Sequence, residues 1–256
     1  MKLIRIIPSL LAMNNFLVKG EQFQNHKYVG DIYNAVKIFS EKGAHEIVLL
    51  DIGSRNNQKT INIDLIKKIK NEIFIPLTVG GGINDIEQAS AFINEGVEKI
   101  CLNSTLKDDY KVLSQISNKF GSQSAVVCVD VKKIKGKYFV WYNNGTIKSD
   151  YSVSKYLKIL EEEGAGEIIL TSIDNEGSRK GFDIELYKKY GNLLKIPIVA
   201  QGGAGSLNDF KKLFDDTEIC AGIGGASFIY YGSRKAVLIN YPDPRTLEEF
   251  MEKYEI

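Results

Sequence analysis

The feature that most constrains this chain is that it is written twice. Pro76-Leu77-Thr78-Val79-Gly80-Gly81-Gly82-Ile83 runs from a proline through a short apolar stretch into glycines, and Pro197-Ile198-Val199-Ala200-Gln201-Gly202-Gly203-Ala204-Gly205 repeats the pattern 121 residues later (76 to 197). The same offset relates Gly43-Ala44-His45-Glu46-Ile47-Val48-Leu49-Leu50-Asp51 to Gly164-Ala165-Gly166-Glu167-Ile168-Ile169-Leu170-Thr171-Ser172. A looser echo links Lys99–Ser104 with Cys220–Gly225. A period this long is no solenoid unit; it is about half of the 256 residues, so the fold must be built from two similar halves.

Each half holds four short apolar runs rich in β-branched residues. They begin near Ile4, Glu46, Leu77 and Lys99, and again near Ala125, Glu167, Ile198 and Cys220. Amphipathic stretches lie between them, such as Tyr33 to Glu41, Ile63 to Asn71, Ser154 to Glu163 and Leu207 to Phe214. Continuous apolar strands alternating with helices indicate a parallel sheet covered on both faces. Eight such units predict an α/β chain folded as a single (β/α)8 TIM barrel, whose usual size is about 250 residues. An open doubly wound sheet is the alternative. The two-fold repeat favours closure, because two four-strand halves then hide each other's edges. The half-barrels are expected over about 1–120 and 121–240, with a C-terminal tail over 232–256.

The net charge of +1 points to neither nucleic acid nor a membrane surface. No apolar run has the length of a membrane span, and the N-terminus enters a strand with no cleavage region behind it. Cys101, Cys128 and Cys220 stand in predicted strands, as small buried hydrophobes do in a reducing cytoplasm. His26 and His45 have no Cys or His cluster around them, so no metal site and no cofactor is expected.

In such a barrel the chemistry belongs at the C-terminal ends of the strands. Asp130 closes the apolar run Ala125 to Val129 and is the candidate general acid or base; pairing with Lys132 or Lys133 is the plain structural alternative. Lys19, Asp51, Asn103, Ser104, Thr171, Ser172, Asp174 and Gln201 follow other strands at the same end. Glycines after a strand let backbone N–H groups approach an anion. The two turns therefore predict a ligand with a phosphate at each end. Charge also gathers at the opposite end: Arg5, Glu46, Lys99 and Glu167 each begin a predicted strand and could form a ring of ion pairs. Phe16 to Asp31 reads as a long loop able to close over the pocket. Tyr138 to Tyr142 followed by Asn143-Asn144-Gly145 reads as an inserted hairpin whose aromatics could cover the substrate or pack on each other, the second being favoured.

These residues together resemble the cyclase subunit of imidazole glycerol phosphate synthase, the HisF family. The likeness is carried by Arg5-Ile6-Ile7-Pro8, Val18-Lys19-Gly20, Pro76 to Ile83, Phe120-Gly121-Ser122-Gln123 and Gly164-Ala165-Gly166-Glu167-Ile168. The resemblance implies a duplicated (β/α)8 barrel that pairs, at its bottom, with a HisH-like glutaminase. Ammonia from that partner passes through the barrel to a substrate with two phosphates, which is cyclised and cleaved. Arg5, Glu46, Lys99 and Glu167 then match the family's charged gate. The phosphate sites map to Gly81, Gly82, Asn103 and Ser104, and to Gly202, Gly203, Gly224 and Gly225. The chain departs from the family where the chemistry sits. Of the family's two carboxylates only Asp130 is present; the other position is Leu11. Glu176 stands for the usual aspartate and Gln201 for the usual serine. This looks like the HisF-like, WbuZ-like proteins of surface-glycan clusters, as does the segment Lys235 to Pro242. That likeness implies a sugar amidotransferase as a further partner. The leading expectation is delivery of ammonia for amidation of a nucleotide sugar. The alternatives are the histidine-pathway cyclase and a non-catalytic conduit that activates its glutaminase.

Overall fold

A computed structural model describes residues 3–53 and 61–254. Eight parallel strands close into a barrel. In chain order the strands are β1 (Arg5–Met13), β2 (Phe16–Glu21), β3 (Gln24–Gly30), β4 (Ile47–Asp51), β5 (Leu77–Gly80), β6 (Lys99–Leu102), β7 (Ala125–Ile134), β8 (Lys137–Tyr142), β9 (Ile147–Lys148), β10 (Glu167–Ser172), β11 (Ile198–Gln201) and β12 (Ala221–Gly224). The barrel order is β1-β4-β5-β6-β7-β10-β11-β12, and β12 pairs back onto β1 with Arg5 opposite Ala221. The eight expected strands are all present, and the chain is the expected α/β barrel.

Helices cover the outside: α1 (Ile32–Glu41), α2 (Ile63–Lys70), α3 (Ile86–Asn94), α4 (Lys111–Phe120), α5 (Val153–Glu162), α6 (Ile184–Tyr190), α7 (Leu207–Asp216), the single turn α8 (Ala226–Ile229) and α9 (Pro244–Met251). Each main helix turns its apolar face inward; Ile32, Ala35, Val36 and Phe39 of α1 are all buried. Most begin on a side-chain cap, as where Asp31 accepts from the Asn34 N–H, which satisfies one of the free amides of the first turn. No helix among the described residues is long and apolar enough to cross a membrane.

Two regions differ from the expectation. Phe16 to Asp31 is not a loop: β2 folds back antiparallel on the extended end of β1, with Leu11 opposite Val18, and β3 folds back on β2. The turn between β1 and β2 is Asn14-Asn15, both at positive φ, the backbone of a tight hairpin that asparagine tolerates. The segment from 232 is not a free tail either. Tyr230–Tyr231 (β13) pairs with Ala236–Val237 (β14), the buried Tyr241 hydroxyl donates to the Ile6 carbonyl at 2.8 Å, and α9 buries Leu247 and Phe250 as the eighth outer helix.

The inserted hairpin is present, with a turn at Lys135-Gly136 joining β7 to β8 and the Asn143-Asn144-Gly145 turn leading to β9. Against the expectation that its aromatics pack on each other, Tyr138 and Tyr142 pack sideways onto the outer helices. Tyr142 meets Tyr156 of α5, and Tyr138 meets Tyr190 of α6 while its hydroxyl donates to Asp183.

Candidate active site

Side chains of alternate residues on a strand face the same side, and here that rule builds a column through the barrel. β1 turns Arg5, Ile7 and Leu11 inward; Glu46 just before β4 is followed by Val48 and Leu50 on it; Lys99 and Cys101 of β6 are followed by Asn103 just after it; and β10 has Glu167, Ile169 and Thr171. The first member of each set is charged, the next is apolar, and the last lines a cavity. The charged members form one closed ring. Arg5 bridges Glu46 at 2.8 Å and Glu167 at 2.9 Å, while Lys99 bridges Glu46 at 3.0 Å and Glu167 at 3.3 Å. Two cations alternating with two anions leave no like charges adjacent. Above the ring Ile7, Val48, Cys101, Val126, Cys128, Ile169, Val199, Ala221 and Ile223 form a separate buried apolar cluster in the lumen.

Beyond that cluster, at the C-terminal ends of the strands, lies a cavity of about 370 Å3, within the range of small-ligand sites. Asp130 stands in its wall and is buried. Burial raises the Asp130 carboxyl to about 7; the Asn103 amide, donating at 2.8 Å, and the nearby Thr171 hydroxyl pull the other way, and Glu176 adds to the rise. A carboxyl of this kind holds or releases a proton near neutral pH, the property of a general acid or base. Thr171 lies directly across from Asp130 in the β7–β10 register.

The other expected residues divide between this cavity and its surroundings. Asp51, Gly81, Gly82, Asn103, Ser104, Thr171 and Gln201 line it. Leu11 lines it as well, an apolar side chain among these polar groups. Asp174 faces elsewhere and accepts from the Lys133 N–H at 2.8 Å. Lys19 is only 2% exposed and forms an ion pair with Glu176. A side chain at Gly225 would begin 2.7 Å from the Lys19 Nζ, which places this pair beside the second glycine pair, Gly224 and Gly225. Gly202 and Gly203 sit next to the loop after β10; the Gly203 carbonyl accepts from the Gly181 N–H at 2.8 Å.

The two glycine turns match in backbone as well as in sequence. Gly81 and Gly82 have φ of 103° and 70°, and Gly202 and Gly203 both have 106°. A Cβ on Gly81 would fall on the Asp51 carbonyl oxygen, and one on Gly202 on that of Ser172, the residue 121 positions after Asp51. α3 and α7, which follow these turns, close their own first turns. Asp85 accepts from the Gln88 N–H at 2.7 Å, and Asp209 accepts from the Gly205 and Ser206 N–H groups at 2.9 and 2.8 Å. The short helical turns after β6 (Ser104–Lys107) and after β12 (α8) have no side-chain cap. Each half therefore offers a glycine doublet and a helical turn without a side-chain cap, a combination suited to an anion.

Further residues complete the cavity wall. Phe23 and His26 come from the β2–β3 hairpin, Asn143 and Asn144 from the turn after β8, and Glu176 from the loop after β10. The hairpin is fastened down as a roof: the Gln22 N–H donates to the Glu176 carbonyl at 2.9 Å and its side-chain amide to the Asp174 carbonyl at 2.8 Å. Of these, the Asn143-Asn144-Gly145 turn is read in the sequence as a hairpin and Glu176 is singled out by the family resemblance, whereas nothing in the sequence singles out Phe23 or His26 for this place. Cys101 and Cys128 are buried at the cavity floor as expected, whereas Cys220 is half-exposed and precedes its strand. The Cys128 thiol is pushed up, first by its contact with Cys101 and then by burial, which disfavours the thiolate. Among the described residues no group of three or more His, Cys, Asp or Glu is placed to hold a metal ion.

Comparison with known proteins agrees with this architecture. A family model described as histidine biosynthesis protein matches residues 5–235. A Leptospira interrogans protein named "Putative imidazole glycerol phosphate synthase subunit HisF" is 44% identical over 241 residues, 93% of this chain and 95% of its own. A Pseudomonas aeruginosa protein carrying the same description, as hisF2, is 42% identical over 95% of this chain and 98% of its own. An Alkaliphilus metalliredigens protein named imidazole glycerol phosphate synthase subunit HisF is 37% identical over 88% of this chain and 90% of its own. With the charged ring, the doubled glycine turns and Asp130 in place, the chain belongs to the HisF family of histidine biosynthesis proteins.

Proposed function

We propose that this chain is the ammonia-using barrel of a glutamine-dependent synthase of the imidazole glycerol phosphate type. The observation that carries the reading is the inward column: a charged ring, an apolar lumen, then a cavity holding a carboxyl that titrates near 7. A neutral, small nucleophile is the cargo such a lumen suits, since the apolar layer desolvates ions at high cost. The ring would serve as the entry gate. Around it the exposed apolar side chains Leu3 (70%) and Phe74 (95%), just ahead of β1 and β5, offer footing for a glutaminase subunit at the bottom face.

At the top, Gly81, Gly82, Asn103 and Ser104 would hold one phosphate. Gly202, Gly203, Gly224 and Gly225 would hold the other, with Lys19 supplying positive charge beside it. Asp51 and Thr171 would orient the groups between them, and Asp130 would exchange the proton. The relatives that carry the synthase name favour imidazole ring formation as the reaction. Leu11 favours a second reading, in which the ammonia goes to a surface-glycan nucleotide sugar through a separate amidotransferase. No relative above is named for a glycan, so that reading stands second. The deciding assay adds ammonium salt at alkaline pH and the family's two-phosphate substrate to the purified chain and looks for imidazole glycerol phosphate. Turnover that Asp130→Asn abolishes supports the cyclase. A folded protein that binds the substrate without turning it over supports the amidation reading, or a conduit that only activates its glutaminase.

A further inference from the structure

The cavity lacks one of the two proton-transfer groups that addition of ammonia followed by loss of a leaving group requires. Leu11 fills that place, and a leucine moves no proton. His26 stands in the same cavity wall, carried there by the roof hairpin. Its ring lies against the Gly20 backbone: a side chain at Gly20 would begin 2.8 Å from the imidazole Cδ2 and 3.1 Å from its Nε2. The hairpin is pinned at its tip by Gln22 to the segment that carries Glu176. Glu176 acts electrostatically on His26 and on Asp130 alike, so it is the near charge common to both.

Resting on the function proposed above, we propose that His26 is the second proton-transfer residue of this cavity and replaces the carboxylate absent at position 11. The charged and titratable groups around it are Lys19 on the hairpin itself, Glu176 beneath it, and Asp51, Cys101, Cys128 and Asp130 in the remaining wall. Burial and the Lys19 ammonium lower the imidazole's pKa, against the pull of Glu176, so it is neutral at neutral pH. The two groups then divide the work. Ammonia forms a C–N bond to an electrophilic carbon, and the resulting ammonium gives a proton to the neutral His26. Protonated Asp130 gives its proton to the group that departs from the same carbon with its bonding electrons. Solvent returns the proton from the imidazolium to Asp130.

The test uses the full chain with the family's two-phosphate substrate, free ammonia held constant from pH 5.5 to 9. His26→Asn is expected to lower kcat about 10²-fold or more, within the range for a lost acid or base, with little change in KM. The fall in wild-type kcat on the acid side should vanish in this variant. Leu11→Asp added to His26→Asn should recover at least about tenfold of that loss. A His26→Asn protein with wild-type kcat and an unchanged acid limb overturns the assignment. Imidazole NMR supplies a readout independent of turnover. The chain has two histidines, and His45, exposed at the opposite end of the barrel, is the internal reference. Adding the two-phosphate substrate must move the His26 resonances and leave those of His45 in place. A His26 signal that does not move overturns the proposal, whereas a wild-type protein that binds and never turns over defeats the functional reading instead.

Discussion

Asp130 makes the native state pay for its chemistry. Its carboxyl titrates at about 7 in the fold against an ordinary 3.8. Between those values the native state binds a proton that the unfolded chain does not, so its contribution to stability is greatest below the lower value and declines as pH rises through the upper one. The difference amounts to at most about 4 kcal/mol. Asp130→Asn removes the titration, so it should stabilise the protein by up to that amount at pH 8 and far less at pH 4.5. Urea unfolding at the two pH values checks this, and an equal gain at both would contradict it. Asp130 is readable in the sequence because a lone carboxylate ends an apolar strand. His26 is not, because it reaches the cavity from a folded-back hairpin and no spacing along the chain encodes that meeting; Glu176, on a loop, is marked only by the family resemblance. His26 in the sequence shows only that it has no metal-ligating neighbours.

The glycine doublets and the hairpins set the scale above. At Gly81 a φ of 103° and the Asp51 carbonyl both exclude a side chain. Gly81→Ala should therefore cost about 2–4 kcal/mol of stability and weaken binding of inorganic phosphate. Gly136 is the control: its φ of 77° is of the same sign, but nothing lies within 4 Å of an added Cβ, so Gly136→Ala should cost only about 1 kcal/mol. Thermal unfolding of the pair, with and without phosphate, separates crowding from backbone strain. These turns are legible because glycine is required locally. The β2–β3 roof was harder to read: its residues, such as Gln24-Asn25-His26-Lys27, are polar and mostly exposed, and they show none of the apolar alternation that marks a strand.

Across the molecule the charged ring couples four strands that are far apart in sequence. Losing Lys99 leaves Arg5 bridging both Glu46 and Glu167, so Lys99→Met should fold, with a stability loss of roughly 1–3 kcal/mol from the net negative charge left behind. Losing Arg5 as well strands two carboxylates facing one another, and the double variant should lose more than the sum of the singles. If the ring is the entry gate, Lys99→Met depresses glutamine-driven turnover more than ammonium-driven turnover, measured with a cognate glutaminase. Equal losses would reduce the ring to scaffolding. The barrel was legible from the 121-residue repeat, since four apolar runs in each half give eight strands and two matching halves favour closure over an open sheet. The path of the eighth unit was not, because the first half passes directly from its fourth strand region into α4, whereas the second half inserts the β13–β14 pair before α9, and that segment is held by contacts such as Tyr241 with Ile6.

That same closure has a consequence for synthesis on the ribosome. β1 leaves the exit tunnel first, but one of its two barrel neighbours, β12, is made more than 200 residues later, and the Tyr241 clasp on Ile6 later still. Until then the nascent chain carries an open sheet with one bare edge at β1 and another at its growing end. Unpaired edges of this sort are where chains join their neighbours by mistake. Conditions that slow translation through the second half should therefore raise the insoluble fraction more than the same delay in the first.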